Sequence, residues 1–111
     1  MLEYDQAPFG VIGLETALAV SLTVLHHTNG IALARVVEML TIGPARAFDL
    51  AGGGLAVGAV ADVTVFDPMR EWTVEVQQFK SKSHNTPFGG WRLRGQVVAT
   101  FVAGKEVFFM R

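Results

Sequence analysis

The chain has 111 residues, half of them hydrophobic and 17% charged, with nine Lys and Arg against ten Asp and Glu for a net charge of −1. It shows no basic stripe or basic–aromatic array of the kind that binds nucleic acid, and no run approaches the roughly 18 apolar residues of a membrane span. With no cysteine, disulfides and thiolate metal sites are excluded.

A mean hydropathy of +0.37 is apolar for a small domain, which has little interior relative to its surface. Part of that apolar surface is therefore expected to lie against another subunit or against a missing part of a larger protein. The N-terminus, Met1-Leu2-Glu3-Tyr4-Asp5, is acidic and lacks the apolar core of a signal peptide. The expected location is cytoplasmic.

Residues 1–12 read as a loop punctuated by Pro8 and Gly10. From Gly13 to about Thr28, Leu14, Ala17, Leu18, Leu22 and Leu25 recur at spacings of three and four, which predicts a helix. Val20, Val24 and Ala19 make it apolar on most sides, as in a buried helix, and Asn29-Gly30 stops it. A second helix is predicted from about Ala32 to Leu40, and a third from Pro44 to Leu50, with Pro44 in a first turn where its missing N–H costs nothing. Gly52-Gly53-Gly54 ends the helical half, as a helix stop and hinge.

The period then changes. Val63 to Phe66 alternates as a strand that Asp67-Pro68 ends, and Glu71 to Val76 is a second short strand. Trp91 to Arg94 alternates apolar and basic. Val97 to Val102 and Lys105 to Met110 flank Ala103-Gly104 as a hairpin. Between the strands, Gln77 to Gly90 is a long polar loop, of a length that usually has a task or packs on another domain. Trp72 and Trp91 read as packing residues of the β part.

Four stretches carry a resemblance. They are Ala7-Pro8-Phe9-Gly10 with Gly13-Leu14-Glu15-Thr16-Ala17; Pro44-Ala45-Arg46; Val57 to Pro68, with its Gly58-x-x-Ala61-Asp62-x-x-x-Phe66-Asp67-Pro68; and Ser81-Lys82-Ser83-His84-Asn85-Thr86-Pro87-Phe88 with Gly95 to Thr100. Together they resemble the C-terminal portion of the bacterial dihydroorotases, metal-dependent amidohydrolases of pyrimidine synthesis. Pro-Ala-Arg and the Asp62 motif are shared with hydantoinases and allantoinases; the first and last stretches resemble dihydroorotases specifically. Ala19 and Gly43 depart from a proline and an asparagine usual at those places.

The resemblance implies an α/β fragment: the last helices of a (β/α)8 TIM-type barrel, followed by the C-terminal strands of a small flanking β-sandwich. Residues 1–51 would be the end of the metal-dependent hydrolase barrel and residues 52–111 part of the composite β-sandwich. It implies a parent that interconverts dihydroorotate and N-carbamoyl-aspartate with zinc. In that family the ligands are histidines, a carboxylated lysine and an aspartate just ahead of the Ala-Pro-Phe-Gly loop, where the chain has none of them; Asp5 is too close to that loop and reads as a solvated carboxylate. No catalytic residue and no metal ligand is assigned, and the fragment alone is expected to be inactive.

What carries over is a substrate contact. In the family the backbone at the Phe-Gly pair approaches the pyrimidine ring and its carboxylate, which maps to Phe9 and Gly10, with Ala7 and Pro8 shaping the turn. The residues by themselves favour a structural loop that packs Phe9 into a core. His26 and His27, adjacent on a helix, cannot easily chelate one ion and read as polar residues at a helix end. Lys80, Lys82 and His84 read as a solvated loop, and Glu15 as a carboxylate favoured by the helix dipole. The expected partners are the missing barrel segment or a second copy of the chain. The alternatives are a non-catalytic dihydroorotase-like module that binds a partner, for example aspartate transcarbamoylase, and a fragment of an allantoinase or hydantoinase.

Overall fold

The structure is a computed structural model that describes residues 3–111; Met1 and Leu2 of the N-terminal loop lie outside them. Among the described residues, three helices precede a three-stranded antiparallel sheet of order β1-β2-β3. Helix α1 spans Ala17–Ser21 and runs on into a π-helical stretch, Leu22–Thr28; α2 spans Leu33–Leu40 and α3 Ile42–Ala47. Strands β1, β2 and β3 span Val63–Thr73, Arg92–Val102 and Lys105–Phe109. No helix among the described residues is long and apolar enough to cross a membrane.

The apolar spacing foretold the first helix but not its widening. The wider turns are held by polar side chains: the Thr28 hydroxyl donates to the Thr23 carbonyl at 2.8 Å, and Asn29 donates its side-chain amide to the Val24 carbonyl at 2.6 Å. Both bonds reach back five residues, the span of a π turn. The third helix begins two residues before Pro44 and ends at Ala47 rather than Leu50. Pro44 still sits in the first turn, where no intrahelical donor is needed. At Gly43 a Cβ would lie 2.9 Å from the Glu38 carbonyl oxygen, so the glycine that departs from the dihydroorotase pattern fits the tight α2–α3 junction.

In the β half, the two short strands expected on either side of Asp67-Pro68 are one strand. Pro68 cannot donate to a ladder, so β1 bulges instead of ending: its pairing with β2 skips from Asp67↔Gln96 to Glu71↔Arg94. The Asp67 carboxylate accepts the Met69 N–H at 2.9 Å across the bulge. The Trp91–Arg94 and Val97–Val102 segments likewise form the single strand β2, with Gly95 inside it. The hairpin turn is as read: Ala103 and Gly104 have φ of 49° and 78°, the positive pair that a type I′ turn requires. Asp62 caps that turn, its carboxylate accepting the Ala103 N–H at 2.8 Å.

The two halves meet where the helix crosses β2. A Cβ on Gly95 (φ 106°) would lie 2.4 Å from Leu22 Cδ1, and Leu22 is fully buried. Only a glycine allows this approach. Around it, the Thr23 hydroxyl donates to the Arg94 carbonyl at 3.2 Å and accepts the Arg94 N–H at 2.8 Å. Trp72 donates its indole N–H to the Gly95 carbonyl at 2.9 Å. Ala19, Val74 and Leu93 form the small core beside this seam, flanked by Val20, Trp72, Val76, Phe79 and Phe88. Trp72 thus packs as expected, whereas Trp91 is 47% exposed and makes an edge contact with Phe88.

Much of the chain stays outside this core. Its radius of gyration is 16.0 Å, against roughly 13 Å for a compact domain of this length. Its accessible surface is 8483 Å², against about 6000 Å² for a folded monomer of this mass. Residues 46–62 contain no buried residue although they include Phe48, Leu50, Leu55, Val57 and Val60.

Candidate functional site

The structure brings together two of the stretches that carry the resemblance. The loop before α1 lies against the 80–85 segment, which follows β1 and a 3-10 turn, Val76–Gln78, and is distant from the loop in sequence. The Ile12 N–H donates to the Asn85 carbonyl at 2.9 Å, and the Asn85 side-chain amide donates to the Gly10 carbonyl. Glu15 accepts the backbone N–H groups of Lys80 and Ser81 at 3.1 and 3.0 Å, one on each carboxylate oxygen. Ser83 turns Asn85 toward the loop by accepting the Asn85 N–H at 3.2 Å. Behind this contact Thr16 is buried, its hydroxyl donating to the Gly13 carbonyl at 3.3 Å while the Ala17 N–H donates to the same oxygen at 2.8 Å.

The four residues singled out for substrate contact stand beyond the contact. Ala7 ends a single 3-10 turn, Tyr4–Gln6. Ala7, Pro8, Phe9 and Gly10 are all exposed. Phe9, at 112% relative exposure, packs into no core among the described residues, contrary to the reading of a structural loop that buries it there. A Cβ on Gly10 would meet nothing within 4 Å, so no atom of the described residues makes a glycine necessary there.

Sequence reasoning missed the part played by Glu15 and Asn85. Glu15 at the start of a helix suggests a dipole interaction, and the actual donors to its carboxylate, two N–H groups in an exposed loop, lie 65 and 66 residues away. The clue available was that both residues fall inside motifs of the same resemblance.

The histidines are committed elsewhere. His26 Nδ1 lies 2.7 Å from the Ile31 carbonyl oxygen and His27 Nε2 lies 2.7 Å from that of Pro68. A carbonyl only accepts, so each of these nitrogens carries its proton. His27 therefore ties the π-helical stretch to the bulge of β1, while His84 is exposed. Among the described residues no three His, Cys, Asp or Glu side chains converge as a metal site needs. Asp5 is exposed.

Two further features flank the seam. Glu71 bridges Arg92 at 2.7 Å and Arg94 at 2.9 Å, and the hydrogen bond from Arg94, with the Arg92 charge next, holds its carboxyl below the usual carboxylate range. On the other side a cleft of about 660 Å³ opens between the helices and the sheet, walled by Leu14, Leu18, Val37, Leu40, Phe66 and Val97 among others. Its walls are chiefly apolar, with the hydroxyls of Thr41 and Thr64 and one titratable group, Asp62, which the hairpin turn engages.

The profile of the amidohydrolase family matches residues 1–107. The chain is 46% identical over 104 residues to a dihydroorotase of Geobacillus sp. (strain WCH70), a match covering 94% of this chain and 24% of that protein. It is 47% identical over 106 residues to a dihydroorotase of Anaeromyxobacter sp. (strain K), covering 96% of this chain and 24% of that one. Among solved structures it superposes on L-hydantoinase (dihydropyrimidinase) from Arthrobacter aurescens with a TM-score of 0.85 and 34% identity, over 93% of this chain and 23% of that chain. The chain thus spans about a quarter of the length of the curated relatives it matches.

Proposed function

Because this chain belongs to the amidohydrolase family, we propose that it is part of a dihydroorotase, the cytoplasmic hydrolase of pyrimidine synthesis that interconverts dihydroorotate and N-carbamoyl-aspartate. On this reading residues 1–51 end the (β/α)8 barrel and residues 52–111 contribute strands to a flanking β-sandwich. The observation that carries the reading is the union of the Gly10–Thr16 and Ser81–Phe88 stretches. These are the motifs that resemble dihydroorotases specifically, and they meet through Asn85 and Glu15. The excess of exposed surface supports a chain that lies against a larger body, either the rest of the barrel or, in its absence, a second copy.

The described residues do not fit a zinc site, since His26 and His27 bond to backbone carbonyls and no three His, Asp or Glu side chains among the described residues converge. Zinc in the parent would take its ligands from outside these residues. The contribution assigned is binding. Phe9 and Gly10 would offer their backbone to the pyrimidine ring and its carboxylate, with Ala7 and Pro8 setting the course of the loop. The open space over Gly10 leaves room for such a ligand.

The 34% identity and 0.85 TM-score with L-hydantoinase favour a second reading, in which the cyclic amide is a hydantoin. One experiment separates them. The chain is combined with a dihydroorotase of Geobacillus from which the matching quarter has been deleted, and ring opening of dihydroorotate and of hydantoin is followed. Activity on dihydroorotate in the mixture, with none from either piece alone, is expected. Activity confined to hydantoin would replace the first reading with the second, and turnover by the 111-residue chain alone would refute its being an incomplete part.

A further inference from the structure

We propose that Glu15 and Asn85 are positioning residues for the Ala7–Gly10 segment, acting in series through the 80–85 segment. The part assigned to Ala7–Gly10 rests on the substrate-contact reading; the brace itself does not. These four residues have no packing of their own: each is exposed, and Phe9 wholly so. An exposed segment with few buried contacts opens at little cost, so its course depends on where it is tied.

Its N-terminal end only closes a local turn, the Ala7 N–H donating to the Tyr4 carbonyl at 3.2 Å; the two ties to the body of the fold lie at its C-terminal end and belong to Asn85. Its side-chain amide donates to the Gly10 carbonyl and its own carbonyl accepts the Ile12 N–H at 2.9 Å. One residue thus grips the backbone on both sides of Val11 and fixes the direction in which Gly10 faces. Asn85 is itself exposed and needs an anchor. Glu15 supplies it, by holding Lys80 and Ser81 against the start of α1.

The chemistry of each residue is particular. Two neighbouring N–H donors call for two acceptor oxygens, which a carboxylate has and an amide lacks. The Gly10 carbonyl calls for a donor, which an amide has and a carboxylate lacks. Glu15→Gln and Asn85→Asp therefore keep size and shape while reversing one hydrogen-bonding atom in each.

Amide hydrogen exchange on the 111-residue chain tests the series. Glu15→Gln is expected to speed exchange of Lys80, Ser81 and Ile12 about tenfold, the scale of one lost charge-assisted hydrogen bond. Asn85→Asp should speed Ile12 and leave Lys80 and Ser81 unchanged. Val20 and Val74, whose N–H groups pair in the helix and the core, should not respond to either. If Glu15→Gln loosens 80–81 but not Ile12, the series connection is wrong. If Val20 and Val74 loosen as well, the two residues serve general folding and the proposal fails.

In the recombined enzyme, Asn85→Asp is expected to raise KM for dihydroorotate with kcat unchanged, the mark of lost ground-state binding; the reverse split would overturn positioning. The exchange result needs no substrate. An inactive recombined enzyme that shows it would remove the dihydroorotase reading and leave the brace standing.

Discussion

Two stretches of similar apolar character meet opposite fates in this molecule. Along the seam, Leu22 and Leu93 are fully buried and Thr23 satisfies both backbone groups of Arg94. Across residues 46–62, Phe48, Leu50, Leu55, Val57 and Val60 are all exposed, Val57 at 107%. Hydropathy alone does not separate the two. The difference is that the seam finds its complement within the chain, at a glycine that lets a helix touch a strand, while the second stretch has no complement among the described residues. Contiguous exposed apolar surface of this kind marks an interface or an aggregation site.

The contrast can be broken at its strongest point. Gly95→Ala adds a methyl where Leu22 already stands and forces a side chain into a positive-φ conformation. Overpacking and the backbone penalty together should cost about 2–5 kcal/mol. Leu22→Ala should cost about 2–5 kcal/mol as a cavity, and the double variant should lose less than the sum because the new methyl enters space that Leu22 vacated. Strict additivity in denaturant melts would show that the helix does not rest on Gly95.

A milder probe is Thr23→Val, which keeps the shape but leaves the Arg94 N–H and carbonyl without their partner. A loss of about 1–3 kcal/mol is expected, and no loss would show that water replaces the hydroxyl.

At the open stretch the expectation reverses. Leu55→Glu with Val57→Glu should lower self-association in sedimentation while shifting stability by less than about 0.5 kcal/mol. A large drop in melting temperature would show that the stretch is covered within the chain after all.

The smallest effect is electrostatic. The Glu71 carboxyl is held below its ordinary range by Arg94 and then Arg92. Its contribution is therefore present above the unfolded-state value and is lost as pH falls through the lowered folded-state value. Glu71→Gln should flatten the acid side of the stability profile; an unchanged profile would mean that the two guanidiniums contribute nothing measurable, as exposed pairs often do.

The sequence made some of this legible and hid the rest for identifiable reasons. Leucines three and four apart gave the first helix, and Ala103-Gly104 gave the hairpin, because both signals are local. Pro68 misled, since proline usually interrupts a strand and here a bulge absorbs it; Gly95, inside β2, is kept for the helix above it. The π-helical widening at Leu22–Thr28 depends on Thr28 and Asn29 bonding five residues back, which leaves the apolar spacing unaltered. The contacts that define the candidate site join residues 65 to 75 apart. No periodicity reports such pairs, and only the shared resemblance of their motifs hinted that they belong together.

The Gly95 crossing has one more implication. The peptide there is engaged from above by Leu22, from the side by Trp72 and through its neighbour by Thr23. The helices and the sheet thus share a fastening that does not pass through the covalent link at Gly52–Gly54. A protease that nicks that exposed link should leave two pieces that still migrate together, parting only when the fold melts.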